Sequence, residues 1–524
     1  MDLLFVTIDS LIPAARLILY KAVITKRSDD MIFKNTLKPI VLVASLISHT
    51  TFANFPATAD RVAFINGNVV SSNLAFPLLD STVLVEDGKI VKVQPAVTAI
   101  PKGYEKVDLD NKWLMPGLID GHIHLAQSGG AFTRPDMFDA QKIQSYADDQ
   151  NWLLANEKNI LNDYMSFGIT SVIDMGGPER NLKRHQQLSL DRQLPTIYAA
   201  GPLLAPMAVP KLQFEGKTFI QANSVFDAIE IVKQQLNFNS HIVKLVWTPE
   251  TGLSPDQLFD LFQPAIALAK QHNKQIAVHV EDKANAISAI KAGADILVHG
   301  LMDDPVDDEF ITLMKKHDVT YMPTLTAFKH YFELFKNERV FSRLDKDTSS
   351  PQVLDSFKTL MNNVNKTDQM FQIFVKYMPY VDQPASEIAA LSAQEQNIIQ
   401  QLSRVFSDKK YKLQLNNLKA ILNSEINLGF GTDAGNPSTI HASSFADEIG
   451  AWQLAGASNA QIIKAATLGN AHALGLNDTL GSIKPGANAD FTVLQQNPLN
   501  EIGTLMQPHM VIKNGKIAMM AESM

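Results

Sequence analysis

Six side chains in this 524-residue chain are of types that could hold and use a metal ion, and each ends or interrupts a short apolar stretch. His122 and His124, one residue apart, close the run Leu114-Met-Pro-Gly-Leu-Ile-Asp-Gly-His-Ile-His-Leu125. If that run is a strand, residues i and i+2 share a face and both imidazoles aim at one point. Lys244 lies inside His241-Ile-Val-Lys-Leu-Val-Trp247. His279 ends Gln275-Ile-Ala-Val-His, His299 ends Asp295-Ile-Leu-Val-His, and Asp433 follows Leu428-Gly-Phe-Gly-Thr. Imidazoles and carboxylates gathered at the carboxyl ends of neighbouring parallel strands are the ingredients of a catalytic metal centre. Taken singly, each has a plainer role: a hydrogen-bonded core histidine, a lysine whose head reaches water, an aspartate in a turn. All six at strand ends is a pattern those plainer roles do not produce.

The elements that must position them alternate in type. Apolar stretches at Ile169–Met175, Thr196–Ala200, Ile242–Trp247, Ile276–Val280, Ile296–His299, Thr320–Leu325 and Leu428–Thr432 join the one before His122 to make eight expected strands. Amphipathic helical patterns fall between them, such as Pro255–His272, opened by Ser254 and Pro255 as cap and first turn. Eight such units point to an α/β fold, a (β/α)8 TIM barrel over 116–475, with a doubly wound sheet as the alternative. Helical pattern over 326–427 is inserted before the last strand, with Ser392-Ala-Gln-Glu395 as a capping box. An insertion there lies on the active face, as a lid or specificity wall, or else as added stability. Both ends of the chain read as β-structure, residues 60–115 and 476–524. Asn66-Gly67, Asp87-Gly88 and Asn514-Gly515 each stand between apolar residues as hairpin signals. One small composite β-sandwich made from the two termini is expected.

Composition narrows the function. With no cysteine, disulfides, thiolate zinc sites and cysteine nucleophiles are excluded, so a transition metal must rely on histidine and carboxylate. A net charge of −8 without a basic stripe argues against nucleic acid. Residues 1–59 read as an upstream extension followed by a secretory signal starting at Met31, with basic residues, the apolar stretch Ile40–Ile47 and small residues near Ala57-Thr-Ala59. A secreted or periplasmic protein without a stable membrane span is expected, since that stretch is too short to cross a bilayer.

The motifs as a set resemble the amidohydrolase superfamily, in particular its imidazolonepropionase-like branch with metal-dependent dipeptidases and prolidases. They are Pro116-Gly-Leu-Ile-Asp-Gly-His-Ile-His124, Gly168-Ile-Thr-Ser-Val-Ile-Asp-Met-Gly-Gly177, Val278-His279, Leu297-Val-His-Gly300 and Gly431-Thr-Asp-Ala-Gly435. Two more follow, Ala465-Ala-Thr-Leu-Gly-Asn-Ala-His-Ala-Leu-Gly475 and Gly481-Ser-Ile-Lys-Pro-Gly-Ala-Asn-Ala-Asp490. The resemblance implies a barrel with a terminal β-sandwich and two divalent metal ions, zinc first among them. His122, His124 and Asp433 would hold the more buried ion, His279 and His299 the other, and Lys244 would bridge them as an N6-carboxylated lysine. One departure stands after the third strand, where relatives carry Gly-Gly-His and this chain has Ala200-Gly-Pro-Leu-Leu-Ala-Pro.

The activity implied is hydrolysis of an amide C–N bond in a dipeptide, an Xaa-Pro peptide or an N-acyl amino acid, by metal-bound hydroxide with Asp433 as general base and acid. The alternative is a mononuclear cyclic-amide hydrolase or deaminase using His122, His124, His279 and Asp433. A non-catalytic barrel is the third reading. Arg134 and Lys283 are candidates for a substrate carboxylate, though each reads more readily as a solvated charge. The expected partner is a small molecule or dipeptide, and a homo-oligomer is compatible with the sequence.

Overall fold

The computed structural model describes residues 60–521 apart from residue 239; the extension and signal expected over 1–59 lie outside the described residues. Strands β1 (Arg61–Val69), β2 (Leu78–Glu86), β3 (Lys89–Pro95), β4 (Glu105–Asp108) and β5 (Trp113–Pro116) open the chain. Strands β6 (Leu118–Ile123), β7 (Ile169–Asp174), β8 (Thr196–Ala199), β9 (Leu203–Ala205), β10 (Phe219–Gln221), β11 (Ile242–Val246), β12 (Gln275–His279), β13 (Ile296–Val298) and β14 (Thr320–Met322) alternate with helices. Strands β15 (Phe491–Leu494), β16 (Met510–Lys513) and β17 (Lys516–Met520) close it.

The two ends pair with each other. Their eight strands form one sheet in the order β17-β16-β15-β5-β1-β2-β3, with β4 on β1, so the expected sandwich is seen as a single hydrogen-bonded sheet. The joint is β5 against β15, antiparallel, with Leu114 opposite Val493. Its apolar face buries Val62, Phe64, Val85, Phe491 and Ile512 together, Phe64 meeting Phe491 edge to face at 5.7 Å. Asp87-Gly88 and Asn514-Gly515 make two-residue hairpins, all four residues having positive φ as a primed turn requires. Asn66-Gly67 does not. β1 runs through it with a register shift, Asn66 at φ 56°, which is a bulge. A Cβ on Gly67 would come within 2.5 Å of Leu109, so the glycine serves close packing there rather than a turn.

The middle of the chain holds two parallel sheets, β6-β7-β8 and β10-β9-β11-β12-β13-β14. Side chains alternate between their two faces. Ile119, Ile173, Ile242, Ala277, Ile296, Val298 and Met322 form one cluster, while Val243, Leu245, Ile276, Val278 and Leu297 pack outward against helices. The helix Pro255–Gln271 shows why such helices form: Ser254 and Gln257 make a capping box, and Leu258, Phe262, Ala265, Ile266 and Ala269 recur at helical spacing on the buried face. Burying Phe262 alone is worth about 2 kcal/mol.

Three isolated parallel bridges link these sheets: Ala200 with Ile242, Tyr321 with Leu428, and Ile123 with Ala434. The eighth expected strand, 428–432, is irregular. Its backbone alternately bonds β14 and β6, with Gly429 N donating to Tyr321 O and Gly121 N donating to Phe430 O. Two of its own donors go to side chains instead, Phe430 N to Asn470 and Thr432 N to Asp120, which interrupts the ladder. The seventh stretch is also shorter than expected, because Leu325 starts a helix. The insertion is helical from there to Leu422, and its phenylalanines Phe328, Phe335, Phe371, Phe374 and Phe406 share a core with Phe132 and Phe138 of the loop after β6.

Candidate metal centre

The i, i+2 pair at the end of β6 converges as strand geometry requires: His122 Nε2 and His124 Nε2 are 3.2 Å apart. Asp433 Oδ1 lies 3.3 Å from the first and 3.1 Å from the second. Among the described residues, these three offer ligand atoms all within 4.8 Å of one another, and all three are buried. His299 joins from β13, its ring 5.2 Å from that of His122 and 4.5 Å from that of His279. Lys244 is buried on β11, opposite Ala277, two residue pairs below His279. Burial above all holds the His279 pKa well below the usual imidazole value, and the charge of Lys244 pushes the same way. The structure thus brings the four histidines and Asp433 together, with Lys244 on the adjoining strand.

Backbone strain aims several of these groups. His299 has φ 80°, Thr324 φ 44° and Asp433 φ 59°, left-handed conformations that non-glycine residues adopt rarely. His299 leaves β13 through that turn, and its Nδ1 lies 2.8 Å from Thr324 Oγ1, which leaves Nε2 for the centre. Asp433 is held by its own N–H donating to His122 O at 2.7 Å and by Asn436 Nδ2 donating to its carbonyl at 3.1 Å. Gly431 is required because a Cβ there would be 2.6 Å from that of His122.

The electrostatics fit a cation. His124 Nδ1 faces Gly176 O at 3.3 Å, and a carbonyl can only accept, so a neutral His124 carries its proton on Nδ1. Its Nε2 lone pair then points at the Asp433 carboxylate with no proton between them. Neither carboxylate oxygen of Asp433 has a hydrogen-bond donor among the described residues, although the residue is fully buried. A buried carboxylate without donors is costly unless a positive charge sits beside it. Two imidazoles and a carboxylate suit a divalent ion such as zinc.

A model of the amidohydrolase family matches residues 113–518. The chain belongs to the amidohydrolase family. In sequence this amidohydrolase is 29% identical over 238 residues to an imidazolonepropionase of Xanthomonas campestris pv. campestris, a match covering 41% of this chain and 56% of that enzyme's length. In fold it is similar to a Xaa-Pro dipeptidase with methionine bound in its active site, with a TM-score of 0.62, 18% identity, and coverage of 87% of this chain and 99% of that one. An ochratoxinase of A. niger is similar too, with a TM-score of 0.61, 18% identity, and coverage of 88% and 96%. These are the imidazolonepropionase- and prolidase-like relatives the motifs point to.

Other residues of this amidohydrolase had no assigned role in the sequence reading. Asp120, buried two residues before His122, accepts from Thr432 N and Thr432 Oγ1, so it locks the Asp433 segment to β6. A lone acid inside an apolar strand was the signal for it. Asn470 donates to Ile119 O and Phe430 O and accepts from Phe430 N. Arg134 is a correction. It is buried rather than solvated, holding Asp136 with two nitrogens and donating to Asn436 Oδ1 at 2.9 Å. Lys283 pairs with Asp307, the cap of the helix Asp308–Lys316. Among the described residues no helix is long and apolar enough to cross a membrane.

Proposed function

We propose that this chain is a metal-dependent hydrolase of amide C–N bonds, with a dipeptide, an Xaa-Pro peptide or an N-acyl amino acid as substrate. His122, His124 and Asp433 would hold one divalent ion, and His279 and His299 a second. A carboxylated Lys244 would bridge the two. The observation that carries this is the convergence of two imidazole nitrogens on a buried, donor-less carboxylate. The closed eight-fold barrel belongs to the same proposal, supported by the three bridges that link its sheets.

The chemistry divalent ions supply in such a cradle is acidification of water and polarisation of a carbonyl. The chain's own residues do the rest. The Asp433 carboxylate would accept the proton of the attacking water and pass it to the leaving nitrogen, so one carboxylate serves both halves of the reaction. Gly176 O and Thr324 Oγ1 hold His124 and His299 in fixed orientations. A lysine adds to carbon dioxide through its neutral amine, the form that two cations beside Lys244 would favour. The helical insertion would wall the site, a role supported by the core it shares with the loop after β6. Arg134 is already neutralised by Asp136, which leaves it to position Asn436 and the Asp433 loop rather than to bind a substrate carboxylate.

A panel of dipeptides and N-acyl amino acids, assayed with zinc or manganese, tests the reading. Turnover abolished in Asp433→Asn supports it; no turnover on any member contradicts it. One observation favours a mononuclear ring-opening enzyme instead: only His122, His124 and Asp433 form a compact ligand group among the described residues. Metal analysis separates the two. Two ions per chain with bicarbonate-dependent reconstitution, falling to fewer than two in Lys244→Ala, is the dinuclear result.

A further inference from the structure

A cavity outside the metal centre lies between the helix Tyr146–Ser166 and the junction of helices Arg343–Thr348 and Pro351–Met361 in the insertion. Its volume is about 280 Å³. Trp152, Asn156, Asn159 and Asp163 line it from one face of the first helix, because spacings of three and four residues bring them to the same side. Val353 and Ile440 add apolar wall opposite.

The charge inside has one sign. Burial alone lifts the Asp163 pKa to about 7, with no hydrogen bond or cation offsetting it. Asn156 donates its amide to Trp152 O, which leaves its carbonyl oxygen to the cavity. The other titratable lining group is His441, whose ring nitrogens face Gln127 O and Tyr164 Oη and whose pKa burial lowers to about 4, so it stays neutral. No lysine or arginine lines the cavity among the described residues. An anion is disfavoured by Asp163. A divalent metal ion prefers several oxygen ligands, and the cavity offers a single carboxylate among apolar and neutral groups.

We propose that this cavity binds an organic cation, a guanidinium or ammonium group on a short apolar stem, with Asp163 as counter-ion and the Trp152 ring against the cationic head. The amide oxygens of Asn156 and Asn159 accept its remaining N–H groups, and the stem lies on Val353 and Ile440. The site is separate from the metal centre and does not rest on the hydrolase reading. It is nonetheless adjacent: His441 contacts Gln127, whose N–H donates to His124 O.

The full chain is titrated by calorimetry with n-butylguanidinium and with its neutral counterpart n-butylurea. Saturable one-to-one binding of the cation below about 10 mM is expected, with the urea at least about tenfold weaker. Asp163→Asn should weaken the cation by about tenfold or more, and Trp152→Phe by about threefold or more while removing the change in tryptophan fluorescence. Both variants are checked for wild-type melting. Absence of saturable binding, equal affinity for the urea, or wild-type affinity in folded Asp163→Asn would each overturn the proposal, the last by locating the cation elsewhere.

Discussion

The hydroxyl of Thr324 fixes the ring of His299 at 2.8 Å from a strained backbone position of its own. Such outer contacts decide whether imidazoles point at a metal or merely near one. Thr324→Val keeps the shape and removes the hydrogen bond, so metal affinity should fall by about 10- to 100-fold with the fold intact. Competition with a chelator measures this directly, and unchanged affinity would show that His299 does not need the threonine. Gly431→Ala belongs to the same class. Its Cβ would press on His122, and reduced metal content with wild-type helix content is the expected result. His122 and His124 were readable from sequence because a strand repeats every two residues, whereas Thr324 was hidden by its irregular backbone.

Where the ladders between elements break, single buried polar side chains join them. Asn470 supplies three hydrogen bonds between β6 and the 428–434 segment. Asn470→Ala leaves buried backbone groups unpaired, and a loss of about 2–4 kcal/mol in denaturant unfolding is expected. Glu448, in the helix Ser444–Leu454, caps the helix Leu325–Phe335 from outside, accepting from Leu325 N, Thr326 N and Thr326 Oγ1, and from Trp452 Nε1. Burial outweighs those donors and lifts its pKa to about 7 from 4.5. A carboxyl raised in the folded state favours folding when protonated, so its contribution is fully present below pH 4.5 and is lost as pH rises to about 7. Wild type should therefore lose stability relative to Glu448→Gln as pH rises across that window; a difference independent of pH would refute the burial argument. Strands and helices with clean periodicity, such as β11, β12 and Pro255–Gln271, were legible in the sequence. The 428–432 segment was not, because side chains of Asp120 and Asn470 take its donors, and Asn66-Gly67 was not, because a bulge and a turn ask for the same residues.

At the scale of the whole molecule, the two ends of the described residues build one sheet that anchors β5, and β5 runs directly into β6 with its histidines. On the opposite side the insertion is clamped to the segment after Asp433: His330 Nε2 lies 3.2 Å from Asp447, and Ser443 Oγ donates to Asp345 at 2.6 Å. The candidate centre therefore lies in a frame fixed from both directions, with ligands drawn from β6, β12, β13 and the segment after residue 428. Diffraction from crystals grown with zinc, measured on both sides of the metal's absorption edge, tests this most directly. The account predicts one anomalous peak within about 2.0–2.3 Å of His122, His124 and Asp433, a second beside His279 and His299, and a modified Lys244 between them. Zinc found only at surface sites, with none beside Asp433, would contradict it.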